Sequence, residues 1–365
     1  MSATSAPSAT SAGTPISQHF ASDNNAGICP AARDWMLRAD ASGHEVGYGD
    51  DRWTQDVCDR FRTLFDTDCE VFFVFNGTAA NALALATLGQ SYNAIICHAS
   101  SHIEVDECGA PEFFSNGAKL ITADGPEAKL RADDIEHLAV KRSDLHFPKA
   151  RAVSLTQATE FGTLYNVDEL RAIASIAKRR GLNIHMDGAR FANAVARLDV
   201  HPSEITWRAG VDVLAFGGTK NGLPVGEAVI FFKKELAEDF AWRVKQAGQL
   251  ASKMRYVSAP WLGLLDDDVW LKNARHANAM ADRLAQGLTE RGIRLMFPVE
   301  ANAVFATIDP RVQAQVRTKG WRFYTFVGDD GCRLMCAWDT APEVVDRFVA
   351  DVAEAQAHHG LTSAA

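Results

Sequence analysis

The 365-residue sequence has no run of about 18 apolar residues, so no transmembrane helix is expected. It is short of basic residues: 37 Lys and Arg stand against 46 Asp and Glu, a net charge of −9. That balance argues against nucleic acid or an anionic membrane surface as the main partner. Residues 1–18 carry no charge and are rich in Ser, Ala, Thr and Pro. A secretory signal needs basic residues and an apolar core, and a transit peptide needs arginines, so this stretch reads as a disordered tail. Ser363-Ala364-Ala365 is expected to fray. The seven cysteines are an odd, scattered set with no Cys-x-x-Cys pair, and read as reduced, mostly buried thiols of a cytoplasmic protein. No H-E-x-x-H is present either, and no metal is expected, although His98 and His102 stand four residues apart. No G-x-G-x-x-G follows a strand with a downstream acid, which argues against a nicotinamide dehydrogenase. No internal repeat is found.

What is present is a globular composition, 47% hydrophobic and 23% charged, at a length that favours roughly two domains. Short continuous apolar runs read as buried strands: Val71–Phe75, Ala94–Cys97, Lys119–Thr122, Ala152–Thr156, Leu182–Met186, Asp212–Ala215 and Glu227–Phe232. Arg52–Phe65 is an amphipathic helix, with Trp53, Val57, Phe61 and Leu64 at helical spacing. Further helices are expected at 76–88, 131–140, 168–180 and 203–209. Alternating strands and helices imply a mostly parallel sheet covered on both faces. Glu235–Tyr256 reads as one long polar helix linking the halves. After Pro260 a second α/β unit follows, with helices at 272–290, 310–319 and 342–357 and short strands near 294–297, 303–308, 322–326 and 333–337. The expected division is a tail at 1–18, a large domain at 19–258 and a small C-terminal domain at 259–365.

The centre of the chain is Asp212–Gly222, DVLAFGGTKNG. A buried strand stops at Gly217-Gly218, and Lys220 follows in a polar turn. Another strand, 33 residues upstream, ends in Asp187-Gly188-Ala189-Arg190. A strand-end acid and a loop lysine suit pyridoxal 5'-phosphate: the lysine forms a Schiff base and the acid keeps the pyridine nitrogen protonated, which makes the ring an electron sink. Either residue has a plainer reading, Lys220 as a surface charge and Asp187 as a helix cap. Ligands of parallel sheets bind beyond the strand carboxyl ends, where Asn76-Gly77-Thr78, Asp187 and Lys220 all fall. Gly77 and Thr78 open a helix, whose free N–H groups suit a phosphate. One imidazole of the Cys97–His102 stretch suits stacking on the cofactor ring and acid/base work near neutral pH. His146 stands just before a strand, and Arg333 suits a bidentate clamp on a carboxylate.

Together, ASDNNAGICP, GYGDD, FNGTAAN, DECGAPEFFSNG, HMDGARFANA, FGGTKNG, KQAGQLASKMR and KGWRFYTF resemble the threonine aldolases of the β-eliminating lyase/threonine aldolase superfamily. The likeness runs over about residues 20–350 and is closest to bacterial low-specificity enzymes, including the phenylserine aldolases. It implies a fold-type-I architecture: a large domain with a mostly parallel seven-stranded sheet and a small C-terminal α/β domain. It implies reversible cleavage of L-threonine, L-allo-threonine and related L-β-hydroxy-α-amino acids to glycine and an aldehyde. Another fold-type-I lyase or a β-eliminating enzyme is the alternative. By resemblance, Lys220 carries the cofactor, Asp187 pairs with its ring nitrogen, His102 stacks on the ring, and Gly77 and Thr78 hold the phosphate. Arg190 and Arg333, with Ser22 beside them, bind the substrate carboxylate, and His146 lies near the β-hydroxyl. The proton acceptor stays open between His102, His146 and a water. The resemblance also implies a homotetramer, a dimer of dimers, in which Tyr48 and Arg255 act across an interface. Lys245 and Lys253 compete with Arg255 for the role at the phosphate.

Overall fold

A computed structural model describes residues 18–361. The expected tail, apart from Gln18, and the expected frayed C-terminus lie outside the described residues. Seven strands, β1 (Glu70–Val74), β2 (Asn93–His98), β3 (Lys119–Ala123), β4 (Lys149–Thr156), β5 (Asn183–Gly188), β6 (Val213–Gly217) and β7 (Glu227–Phe231), form one sheet in the order β1-β7-β6-β5-β4-β2-β3. β7 runs antiparallel to both of its neighbours, and the β6-β5-β4-β2-β3 pairs are parallel. β2, β5, β6 and β7 are buried along their whole length, which is why they read as unbroken apolar runs rather than alternating ones.

The strand that leads to the central lysine is held by aromatic packing. Phe216 of β6 meets Phe61, Phe65, Phe191, Trp261 and Trp270 at ring-centroid distances of 5.0–6.3 Å. Each such pair contributes about 0.5–1.5 kcal/mol beyond area burial. Phe61 and Phe65 come from the helix Arg52–Phe65, which starts where Asp51 accepts from Thr54 N at 2.9 Å and ends at Asp66 in the left-handed region.

A second, antiparallel sheet joins β8 (Arg294–Leu295), β9 (Ala303–Thr307), β10 (Tyr324–Val327) and β11 (Gly331–Met335) in the order β10-β11-β9-β8. Its core draws on the helices Val269–Thr289 and Pro342–His358, and also on Phe20 from the start of the chain. Phe20 N donates to Arg322 O and Met335 N donates to Phe20 O, at 3.1 and 2.9 Å, so the N-terminal segment is tied to this sheet.

Two sequence expectations are corrected. Glu235–Tyr256 is not one helix: a turn at Lys234–Ala237 and the helix Phe240–Gln246 are followed by an irregular stretch, and a new helix starts at Arg255. Tertiary bonds hold that stretch, Tyr48 N to Ser252 O and Phe75 N to Gln249 Oε1, and periodicity cannot register them. Pro260 lies inside the helix Arg255–Leu265. That helix spans the expected boundary at 258/259, and its Trp261 and Leu264 belong to the larger core. The helix expected at 203–209 is two short 3-10 turns, Pro202–Ile205 and Trp207–Ala209.

Candidate active site

The carboxyl ends of β1, β5 and β6 and the amino end of the antiparallel β7 open on one cleft with room for about 200 Å³ of solvent. Asn76, Gly77 and Thr78 line it from the turn after β1, His102 from the turn after β2, Asp187 from β5, Lys220 from the turn after β6 and Glu227 from the start of β7. A larger cavity, about 700 Å³, lies at the amino ends of β4 and β5 among Arg151, Arg171, Lys178, Arg208 and Lys233. Glu204 and Asp66 neutralise Arg171 and Arg208 there, and none of the sequence-derived candidates lines it. Parallel sheets bind ligands at the other end, where titratable groups converge here.

Asp187 is 4% exposed and faces the cleft through a buried polar chain. Ala189 N donates to its Oδ1 at 2.9 Å, and Asn81 Nδ2 donates to its Oδ2 at 2.9 Å and to Glu107 Oε1 at 2.8 Å. Glu107 Oε1 lies 2.8 Å from His102 Nδ1. The hydrogen bond to Glu107 raises the His102 pKa above its ordinary value, against the effect of burial, with Asp187 and Glu160 adding attraction. Burial pushes the Glu107 carboxyl up. His102 Nε2 lies 3.6 Å from the exposed Asp106. The helix Gly77–Thr87 begins with Asn76 Oδ1 accepting from Ala79 N at 2.9 Å. A Cβ on Gly77 would meet nothing within 4 Å, so the helix start faces open space.

The turn that carries Lys220 is fixed on both sides. Asn221 Nδ2 donates to Trp270 O, Asn273 Nδ2 donates to Asn221 O, and Cys29 N donates to Gly222 O, at 2.8–2.9 Å. Glu227 Oε2 accepts from Gly218 N at 2.6 Å.

The two candidate arginines differ. Arg190 is held by Asp23, whose oxygens accept from Nε at 2.8 Å and from Nη2 at 3.0 Å. Burial works against the Arg190 charge, yet the attraction and hydrogen bonds of Asp23 outweigh it and raise its pKa. Burial likewise opposes ionisation of Asp23, but Arg190, Lys220 and Asn302 hold its carboxyl below the usual range. Arg190 is therefore an anchored charge, with Nε and Nη2 turned to Asp23. Arg333, in the middle of β11, lies 4.9 and 5.5 Å from the ring centres of Phe326 and Tyr324, and its Nε is buried without a hydrogen-bond partner. Burial, with Arg190 adding repulsion, lowers its pKa. A half-buried guanidinium with an unpartnered Nε suits an anionic ligand.

His146 is not brought to the cleft. It is exposed and precedes the amino end of β4, a strand whose eight residues separate it by roughly 25 Å from the end that faces the site. Tyr48 and Arg255 do not line the cleft either. Tyr48 N donates to Ser252 O at 3.1 Å, and Lys245 Nζ sits 5.1 Å from the Tyr48 ring centre. Arg255 lies over Tyr256, with its Nε buried and unpartnered. Ser22 caps the short turn Asp23–Asn25 by accepting from Asn24 N at 3.1 Å. Asp23, Asn81, Glu107 and Glu227 are site residues that the sequence reading missed. Two left a signal: Asn81 is a lone polar residue in the Ala/Leu run of its helix, and Glu227 is a lone charge at the head of an apolar strand.

The lysine, the buried acid, the open helix start and the histidine fit the pyridoxal 5'-phosphate expected from the sequence, because each kind of group it needs is present around one cleft. Over residues 19–310 the chain matches the family described as Beta-eliminating lyase. It is 57% identical over 340 residues to the low specificity L-threonine aldolase of a Pseudomonas sp., covering 93% of this chain and 98% of that one. It is 58% identical over 342 residues to the protein of that name from Pseudomonas aeruginosa, with the same coverage. Among solved structures, the threonine aldolase of Leishmania major superposes with a TM-score of 0.87 at 30% identity, covering 92% of this chain and 98% of that one.

Proposed function

The chain belongs to the beta-eliminating lyase family, and on that premise we propose that it is a pyridoxal 5'-phosphate-dependent aldolase. It cleaves L-threonine and related L-β-hydroxy-α-amino acids to glycine and an aldehyde. The carrying observation is the cleft that gathers Lys220, Asp187 and His102, with Arg333, whose Nε is buried without a hydrogen-bond partner, near Arg190 and Asp23.

The bound cofactor supplies a cationic ring that accepts the electron pair of the breaking Cα–Cβ bond. Lys220 is the amine that holds it, Asp187 is the acid at its ring nitrogen, and Gly77 and Thr78 meet its phosphate. Asn81 and the Ala189 N–H keep the Asp187 carboxylate in place from within the protein. Arg333 takes the substrate carboxylate, which sets which bond at Cα is aligned for cleavage. Arg190 stays with Asp23. The β-hydroxyl oxygen must lose its proton as the aldehyde C=O forms. Of the two histidines considered, only His102 lines the cleft, so His102 takes that proton.

The reading extends to phenylserine, supported by the aromatic neighbourhood of Arg333, where Phe326 packs on Phe305 at 5.7 Å and Phe305 on Phe161 at 5.9 Å. It extends also to a homotetramer that works in the cytoplasm and in which Tyr48 and Arg255 serve the cleft of a neighbouring copy. The support for sharing is that both lie away from their own cleft and close to one another. All seven cysteines are free, which suits a reducing compartment.

Purified protein given L-threonine should yield glycine and acetaldehyde in equal amounts. Borohydride reduction should fix the cofactor on a peptide that contains Lys220. A 2-oxo acid plus ammonia instead of glycine overturns the aldolase reading. Mixing subunits mutated at Lys220 with subunits mutated at Arg255 should restore activity if sites are shared; no restoration refutes the sharing.

A further inference from the structure

β7 has the sequence Glu-Ala-Val-Ile-Phe and is buried throughout, with Glu227 only 8% exposed. Packing gives no reason for a carboxylate at its head, and burial opposes the charged form. Glu227 stands opposite Gly217 of β6 on one side and Val74 of β1 on the other, at the rim of the cleft.

What it touches is the start of the lysine turn. Oε2 accepts from Gly218 N at 2.6 Å and from Thr219 N at 3.5 Å. These amides open the short helical turn Thr219–Asn221, where N–H groups have no carbonyl partner within the turn. The two glycines ahead of Lys220 have no side chains of their own to fix their path. The surroundings confine them: a Cβ on Gly217 would sit 2.5 Å from Ala189 O, and one on Gly218 would sit 2.4 Å from Leu223 Cδ1 and 2.6 Å from Trp261 Cζ2. The walls limit where the backbone can go, and the carboxylate fixes which way its amides point. Lys220 itself ends in an amine on a four-carbon stem, so its reach depends on where its Cα is held.

We propose that Glu227 is a positioning residue for Lys220: by accepting from the Gly218 and Thr219 amides it holds the turn in the one path that presents the Lys220 amine to the cleft. The inference rests on the reading of Lys220 as the amine that captures the cofactor. In that capture the neutral amine adds to the aldehyde carbon, the aldehyde oxygen leaves as water, and a C=N bond remains.

The test separates capture from general binding. Full-length protein stripped of cofactor is mixed with pyridoxal 5'-phosphate, and the rate of covalent capture is followed by absorbance. Affinity for 4'-deoxypyridoxine 5'-phosphate, which has no aldehyde, is measured in parallel. Glu227→Ala should slow capture about tenfold to a hundredfold, the worth of a hydrogen bond to a charged group. Its affinity for the deoxy analogue should stay within threefold of wild type. Glu227→Gln, which keeps an acceptor oxygen in place, should recover most of the rate. Glu227→Asp keeps the charge but withdraws it by one methylene and should be slower than Glu227→Gln. Capture by Glu227→Ala at the wild-type rate overturns the proposal, and so does a parallel loss of analogue affinity. If Glu227→Ala fails to fold, the order of the Gln and Asp variants decides, and Asp faster than Gln overturns it. A wild-type protein that captures nothing refutes the cofactor reading instead.

Discussion

Replacing Asp23 by Asn removes one charge and almost no volume from its buried pair with Arg190. Asp23 is 1% exposed, and the Arg190 side chain it faces is 12% exposed. The variant keeps an oxygen for Asn302 Nδ2, which now donates to Asp23 Oδ2 at 3.0 Å, but leaves the guanidinium without a counter-charge within 4 Å. Breaking a buried pair from one side costs about 3–5 kcal/mol. An unfolding entropy of about 2.1 cal/mol/K per residue over the whole chain gives roughly 0.8 kcal/mol/K, so Tm should fall by roughly 4–6 °C. Adding Arg190→Met should recover most of that loss, because exchanging both members of a buried pair for neutral groups is close to neutral. Differential scanning calorimetry of the wild type, both single variants and the double variant closes the cycle. The sign with pH is fixed as well. The folded-state pKa of Asp23 is depressed, so the pair stabilises fully above the ordinary carboxyl value of 3.8 and loses its contribution as pH falls through the lower folded value. The gap between wild type and Asp23→Asn should therefore close in acid. A Tm within 1 °C of wild type at pH 7 refutes the view that Arg190 is an anchored charge.

Arg333→Met should lower kcat/KM for L-threonine by about 10- to 150-fold, the loss of a charged hydrogen bond, with little change in Tm, since Arg333 is half-buried, has no ion-pair partner among the described residues and leaves its Nε unpartnered. Steady-state kinetics and a melt on the same sample check both halves. His102 has a raised folded-state pKa, so its contact with Glu107 stabilises below about pH 6.5 and fades as pH rises through the folded value. The difference in urea midpoint between wild type and His102→Gln should shrink from pH 6 to pH 9. His146→Ala, at an exposed loop on the far end of the sheet, should leave kcat/KM within twofold, and a larger fall would bring that histidine back into the chemistry.

The sheet was legible because β2, β5, β6 and β7 are buried along their whole length, so their apolar runs stand out at once. Lys220 and Asp187 were legible because each follows such a run, and a parallel sheet brings the following turns together. His146 misled for the converse reason: closeness to a strand in sequence does not tell which end of the sheet is reached. Asp23 could not be read, because its partners Arg190 and Asn302 are 167 and 279 residues away. Local pattern holds no trace of such pairings. The break in the expected 235–256 helix was hidden likewise, since Tyr48 and Phe75 hold that segment from outside it.

The strap formed by the first described residues has a consequence for how the molecule is made. Gln18 Nε2 donates to Asp339 O, Phe20 waits for Arg322 and Met335, and Asp23 waits for Arg190 and Asn302. At roughly 5–20 residues per second, the ribosome delivers the partners of Phe20 some 15–60 s after Phe20 itself. During that interval the large sheet can form and Asp23 can meet Arg190, while Phe20 has nothing to pair with. The tie between Phe20 and the small sheet is then the last part of the strap to close, and a nascent chain stalled before residue 322 holds the lysine turn and Arg190 but lacks that tie and Arg333.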